Sequence, residues 1–208
     1  MIFLDNTSEI VEFTRLYLAI FYSCVAIFYL TRIFMVRKNS NTEVVFTGER
    51  FCSTWWNHMV FRVFRFTIWM VCLSRFYYPP IDNYLGIIPS LEKFPVVLAG
   101  DIILTSGFLL TISIHFSMGR KWRSGIDPQS PDQLITDGFY KYSRNPMFIS
   151  VAFCQIGFFL ALPSVFSLTC LTIGLYVLYR QALCEERHLS EVFPIKYRIY
   201  SNDVHRWL

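Results

Sequence analysis

Long apolar runs, each closed by a short polar or basic cluster, dominate the chain. The first covers residues 10–36 and stops at Arg37-Lys38-Asn39-Ser40-Asn41. A polar connector with Gly48, residues 39–53, leads to a second run over 55–78, which Pro79-Pro80 ends. Residues 82–95, with Gly86, Pro89 and Pro95, read as a loop, and a third run covers 96–118. From Pro146 to Leu183 the chain is apolar for about 38 residues, roughly twice the thickness of a bilayer core at ~1.5 Å per helical residue. Pro163-Ser164 sits near the middle of that stretch, so the pattern predicts a tight helical hairpin with spans at 146–162 and 164–183. The expected fold is all-α: a polytopic integral membrane protein of about five transmembrane helices. Three of them fall in an N-terminal region, 1–125, and the hairpin falls in a C-terminal region, 126–208.

The second run is the least regular, because Arg62, Arg65 and Arg75 interrupt it. Their spacing puts all three on one helical face, where they read as meeting protein or headgroups rather than lipid tails. In the third run, Asp101 near one end reads as snorkelling to the interface. His115, one turn before a basic cluster, is an intramembrane ionisable candidate.

Composition strengthens the membrane reading. The chain is 54% hydrophobic and 18% aromatic, with only 16% charged residues, against roughly 25% charged in soluble domains. A net charge of +4 is too slight to point to nucleic acid. Glu9, Glu12 and Arg15 at the head of the first run, with no small-residue cleavage site after it, read as a spanning helix rather than a cleaved signal peptide. The six cysteines form no CxxC pair and no ligand spacing with histidine, so neither a disulfide framework nor a metal site is expected.

Charge also orients the chain. With five spans, Arg37-Lys38, Arg50, the Arg120–Arg123 cluster, Lys141, Arg144 and Arg187 share one side, and the acidic N-terminus and the loop at 77–95 share the other. The positive-inside rule makes the first side cytosolic. Two polar clusters then meet at that surface. One is Gly138-Phe-Tyr-Lys-Tyr-Ser-Arg-Asn-Pro-Met-Phe148, before the hairpin, and the other is Glu185-Glu186-Arg187-His188, after it. A hairpin returns the chain to its starting depth, so Arg144 and Glu185 are expected to approach. Such a pair serves either as an interfacial anchor or as part of a pocket in which a carboxylate holds an ammonium or sulfonium group.

Leu134-Ile-Thr-Asp-Gly-Phe-Tyr-Lys-Tyr-Ser-Arg-Asn-Pro-Met-Phe148, the hairpin, Glu185-Glu186-x-x-Leu189 and Phe193-Pro-x-Lys-Tyr-x-x-Tyr200 follow one another in an order that resembles a known group. It is similar to the isoprenylcysteine carboxyl methyltransferase family and, more broadly, to the membrane phospholipid methyltransferases. The resemblance covers roughly the C-terminal third and implies a cytosolic S-adenosylmethionine pocket beneath a lipid-facing tunnel. By position it implies cofactor contacts from Gln133, Leu134, Ile135, Tyr140, Asn145, Pro146, Met147, Phe148 and Glu185. Arg180, Glu185 and Arg144 are the residues it suggests for catalysis. A sulfonium-activated methyl group chiefly needs in-line positioning and desolvation of the nucleophile.

Three positions depart from the family pattern. Asn145 stands where a histidine precedes the proline, Phe148 where a tyrosine follows it, and Gln181 where prenylcysteine-methylating members carry an arginine. Arg180 is the neighbouring candidate for that arginine's role. The resemblance implies a lipophilic or prenylated acceptor among membrane lipids, in the endoplasmic reticulum of a eukaryote or the inner membrane of a bacterium. Methylation of a prenylcysteine carboxylate leads. An ethanolamine phospholipid nitrogen, an NADPH-dependent sterol-type reduction and a non-catalytic scaffold stand as alternatives.

Overall fold

A computed structural model describes residues 2–40, 45–119, 124–126 and 133–208. The expected basic cluster at Arg120–Arg123 lies outside the described residues, as do Asp127-Pro128 and Ser130-Pro131, whose prolines predict turns in the sequence. Seven helices occur among the described residues: α1 (Ile2–Ser40), α2 (Ser53–Tyr77), α3 (Asp82–Leu85), α4 (Phe94–Met118), α5 (Pro146–Ala161), α6 (Val165–Val192) and α7 (Pro194–Asp203). The protein is an all-α, polytopic membrane protein. A two-residue parallel pair, β1 (Val45–Phe46) with β2 (Ser124–Gly125), links the connectors at one end. There Gly125 is needed, because its φ is 88° and a Cβ would strike the Phe46 carbonyl.

The five long helices close a ring in the order α1–α2–α6–α5–α4, each packing on the next and α4 returning to α1. Leu18, Cys72, Leu85, Leu104, Phe158, Ala161 and Leu162 fill its centre, with Tyr22 edge-on to Phe158. Large apolar side chains cover the outside instead, among them Ile27, Leu30 and Phe34 of α1, Val63 and Phe66 of α2, and Leu109 of α4. An outward apolar face suits lipid rather than water. Among the described residues, α1, α4 and α6 have both the length and the hydropathy of a span. α5 has 16 residues, about 24 Å at ~1.5 Å per residue, shorter than the hydrocarbon core.

The α4–α5 contact is the closest in the bundle, and small residues explain it. Gly100, Leu104, Gly107 and Thr111 on α4 face Ser150, Cys154, Gly157 and Ala161 on α5, both rows stepping by four, three and four. A Cβ on Gly157 would lie 2.4 Å from the Leu104 amide nitrogen, and one on Gly100 would lie 2.2 Å from that of Ala161. Thr111 donates to the Ser150 hydroxyl across the seam at 3.0 Å. Small residues allow this close approach where no hydrophobic effect drives helices together in lipid.

The hairpin turn falls at Leu162-Pro163-Ser164, as the sequence predicts. Ser164 and Ser167 form a reciprocal capping box at the start of α6. The turn is also clipped to the loop after α3, since Ile88 donates to the Pro163 carbonyl and Val165 to that of Gly86, both at 2.8 Å. Beside this clip, Asp82 accepts from Arg75 at 2.5 Å and from Arg15 at 2.8 Å. Burial pushes the Asp82 carboxyl up, but the two guanidiniums outweigh it and hold the group below its ordinary value.

Several expectations change. The first helix runs through Arg37-Lys38 to Ser40, and the loop at 82–95 contains the single turn α3 before α4 begins at Phe94. Arg75 is buried against Asp82 whereas Arg62 and Arg65 are exposed, so the three arginines do not share one environment. Asp101 does not snorkel. It is buried and accepts from the Thr14 hydroxyl at 2.9 Å, tying α1 to α4. α6 continues to Val192, so Glu185 and Glu186 lie on the helix rather than past its end.

Candidate functional site

The ring has two chemically distinct ends. One carries the Arg15–Asp82–Arg75 cluster and the hairpin turn. The other gathers the start of α2, the ends of α1 and α4, residues 133–145, the last turns of α6, and α7.

Proline starts α5 at its first position, where the missing N–H costs nothing. Just before it, Gly138 (φ 59°) opens a 3₁₀ turn through Lys141. Tyr200 of α7 holds that turn by donating to the Tyr140 carbonyl at 2.7 Å. The Tyr140 hydroxyl in turn reaches Met118 Sδ at 3.5 Å. Burial, and then the nearby Glu185 carboxylate, push the Tyr140 phenol well above its ordinary value.

The C-terminal segment closes over residues 143–145. Arg144 N donates to the His205 carbonyl at 3.0 Å. Ser143 Oγ and Asn145 Nδ2 donate to the Arg206 carbonyl at 3.1 and 3.2 Å. Asn145 also donates to Glu186 Oε1 at 2.7 Å. Arg206 forks onto both oxygens of Glu186 at 3.0 and 3.1 Å, and Arg144 lies 3.7 Å from Oε2. Two guanidiniums and an amide therefore surround Glu186. The bond to Glu186 raises the Arg206 pKa further.

Glu185, half-buried and one residue earlier, has a different setting. Gln181 Nε2 donates to its Oε1 at 3.0 Å, and Asn57 Nδ2 donates to Gln181 Oε1 at 3.1 Å. Asn57 and Gln181 are both buried. Among the described residues Glu185 forms no ion pair.

The sequence-derived set therefore divides. Tyr140 lies near Glu185, and Met147 packs with Val36, Ile33 and Met118. Pro146 is buried at the head of α5, Leu134 and Ile135 are half-buried, and Gln133 is exposed. Arg144 pairs with Glu186 rather than with Glu185, the residue the hairpin argument selects, and Asn145 joins the same network. Phe148 faces the opposite flank of α5. It lines an apolar cavity of about 340 Å³ with Leu178, Tyr179 and Trp207. Arg180 is outward, donating at 3.4 Å to the Tyr176 hydroxyl and at 3.3 Å to Ser53 Oγ. Tyr197 and Tyr200 are buried, and burial pushes both phenols up to about 12. The larger cavity, about 550 Å³ between α2 and α6, lies at the Asp82 end, lined by Phe64, Leu85, Val165 and Phe166.

Two contributors are absent from the sequence-derived set. Asn57 carries no motif, and only the packing of α2 on α6 reveals it. Arg32 caps α4 by donating to the carbonyls of His115 and Gly119 at 2.8 and 2.5 Å, where a cation meets the negative end of the helix dipole. Its position on α1, far from α4 in sequence, gives no signal of this.

Residues 96–196 match the family model described as phospholipid methyltransferase, a span that takes in nearly all of α4, the whole of α5 and α6 and the start of α7. The match supports a membrane methyltransferase. No curated protein and no solved structure gives a significant match to the chain.

Proposed function

We propose that the protein transfers a methyl group from S-adenosylmethionine to a lipophilic acceptor in the membrane. The observation that carries this reading is the contrast between adjacent glutamates: Glu186 has its cations, and Glu185 has none among the described residues. A partly desolvated carboxylate is costly unless a cation compensates it. The ammonium of an amino-acid cofactor supplies that cation, so the donor set fits the group. In this reading Glu185 holds the amino group, Tyr140 and Met147 supply aromatic and apolar surface, and Leu134 and Ile135 line the approach. Asn145 and Arg144 act by fixing the segment from which Tyr140 and Met147 project. Bound S-adenosylmethionine supplies an electrophilic methyl group, and the chain's own task is to bind, orient and exclude water.

For the acceptor, the geometry favours an amine headgroup over a prenylcysteine carboxylate. The position expected to hold a carboxylate-binding arginine is the neutral Gln181, committed to Asn57 and Glu185. Arg180 is half-buried and directed toward Ser53 and Tyr176. The family description also supports a phospholipid acceptor.

Calorimetric titration of the detergent-solubilised protein tests the reading. Binding of S-adenosylmethionine and of S-adenosylhomocysteine is expected, with transfer of labelled methyl to phosphatidylethanolamine exceeding that to a farnesylcysteine analogue. Binding of NADPH without S-adenosylmethionine would overturn it in favour of a reductase. Binding of neither would leave a scaffold.

A further inference from the structure

We infer that Asn57, on α2, is a positioning residue that sets the polarity of the hydrogen-bond string ending at Glu185 and so prepares that carboxylate for a cation. The inference rests on the methyltransferase reading above and extends the site to a helix outside residues 96–196. α2 thereby becomes part of the cofactor machinery rather than a wall beside it.

The argument follows from donor and acceptor chemistry. An ionised carboxylate only accepts, whereas a glutamine amide has one accepting and one donating end. Gln181 therefore turns Nε2 toward Glu185 and its oxygen back toward α2. Asn57 Nδ2 donates to that oxygen at 3.1 Å. Asn57 is 7% exposed and Gln181 4%, so water does little to restore a lost bond or to tolerate a reversed amide. With Glu185 accepting at one end, a donor at 57 is the partner that the Gln181 oxygen needs, and an acceptor at 57 would set oxygen against oxygen at one end of the string or the other.

Five forms of the full chain decide the matter: wild type, Asn57→Ala, Asn57→Asp, Glu185→Gln and the double variant Asn57→Asp/Glu185→Gln. Each is titrated with S-adenosylmethionine by calorimetry, and its thermal unfolding is followed in the same detergent. Asn57→Ala leaves Gln181 free to keep its orientation and is expected to weaken binding by about threefold or less. Asn57→Asp sets a second acceptor against the Gln181 amide in competition with Glu185 and is expected to weaken it by about tenfold or more. In the Glu185→Gln background the string can run backwards, the new amide at 185 donating to Gln181 and Gln181 donating to the new carboxylate at 57. Asn57→Asp should therefore lower the unfolding temperature less there than in the wild-type background. Equal affinity losses for Ala and Asp, or equal temperature losses in both backgrounds, would overturn the inference. If Asn57→Asp alone does not fold, the double variant is expected to fold, and its failure counts equally against the idea. Wild-type protein that does not bind S-adenosylmethionine defeats the functional reading itself. Wild-type binding with no difference between Ala and Asp defeats this inference alone.

Discussion

Glu185 and Glu186 are consecutive on α6, yet they face different worlds. Adjacent helical positions diverge by about 100°, enough to turn Glu186 toward Arg144, Arg206 and Asn145 while Glu185 faces Gln181. The two substitutions should therefore separate stability from binding. Glu186→Gln removes two ion pairs and leaves Arg206 without its partner. Breaking a fully buried pair costs ~3–5 kcal/mol, and here about 2 kcal/mol is expected because Arg206 is 34% exposed. Glu185→Gln should change the unfolding temperature little but weaken S-adenosylmethionine binding by about tenfold or more, the usual scale for losing a charge-assisted contact. Thermal unfolding and calorimetry on the same samples test the division. Losses of both kinds from both variants would refute it.

The hairpin and its flanking clusters are legible in the sequence because the signals are local. Proline at the head of α5, Pro163-Ser164 at the turn and apolar runs of bilayer length need no tertiary information. The partner of each charge is not local. Arg144 lies equally near both glutamates along the chain, and only the rotation of α6 selects Glu186. Asn57 looks like an ordinary polar residue near a helix start until α2 is seen against α6. Asp101 reads as an interfacial group because the sequence does not show that Thr14 waits on α1 to bond it.

The Asp82 cluster should give acid sensitivity of a defined sign. The folded carboxyl titrates below its unfolded value of about 3.9, held there by Arg75 and Arg15 against the opposing effect of burial. Its contribution is fully present above that unfolded value. It is lost as pH falls through the lower folded value, because the unfolded chain then binds the proton more readily. Unfolding temperature measured from pH 7 down to 3 should therefore drop below about pH 4. Asp82→Asn should start lower at pH 7 and show a flatter acid limb. A variant with the same acid dependence as the wild type would remove Asp82 from the account.

Contact between α4 and α5 depends on missing side chains. A Cβ at Gly157 would sit 2.4 Å from the Leu104 nitrogen, and backbone cannot yield as a side-chain tip can. Gly157→Ala should destabilise by about 1–3 kcal/mol, the usual cost of overpacking, although alanine is the better helix former. Gly174→Ala on α6 is the control. Its nearest neighbour is the Gln155 side chain, 2.3 Å from the Cβ position, which can swing aside. Unfolding in detergent should show the larger loss at Gly157, and a larger loss at Gly174 would contradict the seam.

Asn145 stands where the related pattern has histidine, and its contacts suggest structural work. Its amide bridges Glu186 Oε1 at 2.7 Å and the Arg206 carbonyl at 3.2 Å, so one NH2 group ties α6 and the C-terminal segment to the start of α5. Both partners are acceptors, which requires a donor at 145. Asn145→Ala should cost about 1–2 kcal/mol, since two bonds are lost and Glu186 keeps its arginines. Asn145→Asp should cost more, because it replaces the donor with a second carboxylate beside the first. Histidine, with a ring N–H to donate, should recover part of the loss. The order of unfolding temperatures is then wild type, Asn145→His, Asn145→Ala, Asn145→Asp. Cofactor affinity should follow the same order more weakly, because Asn145 acts on binding only through the position of Tyr140 and Met147. A sharp loss of affinity in Asn145→Ala at unchanged stability would instead mean that Asn145 touches the cofactor itself.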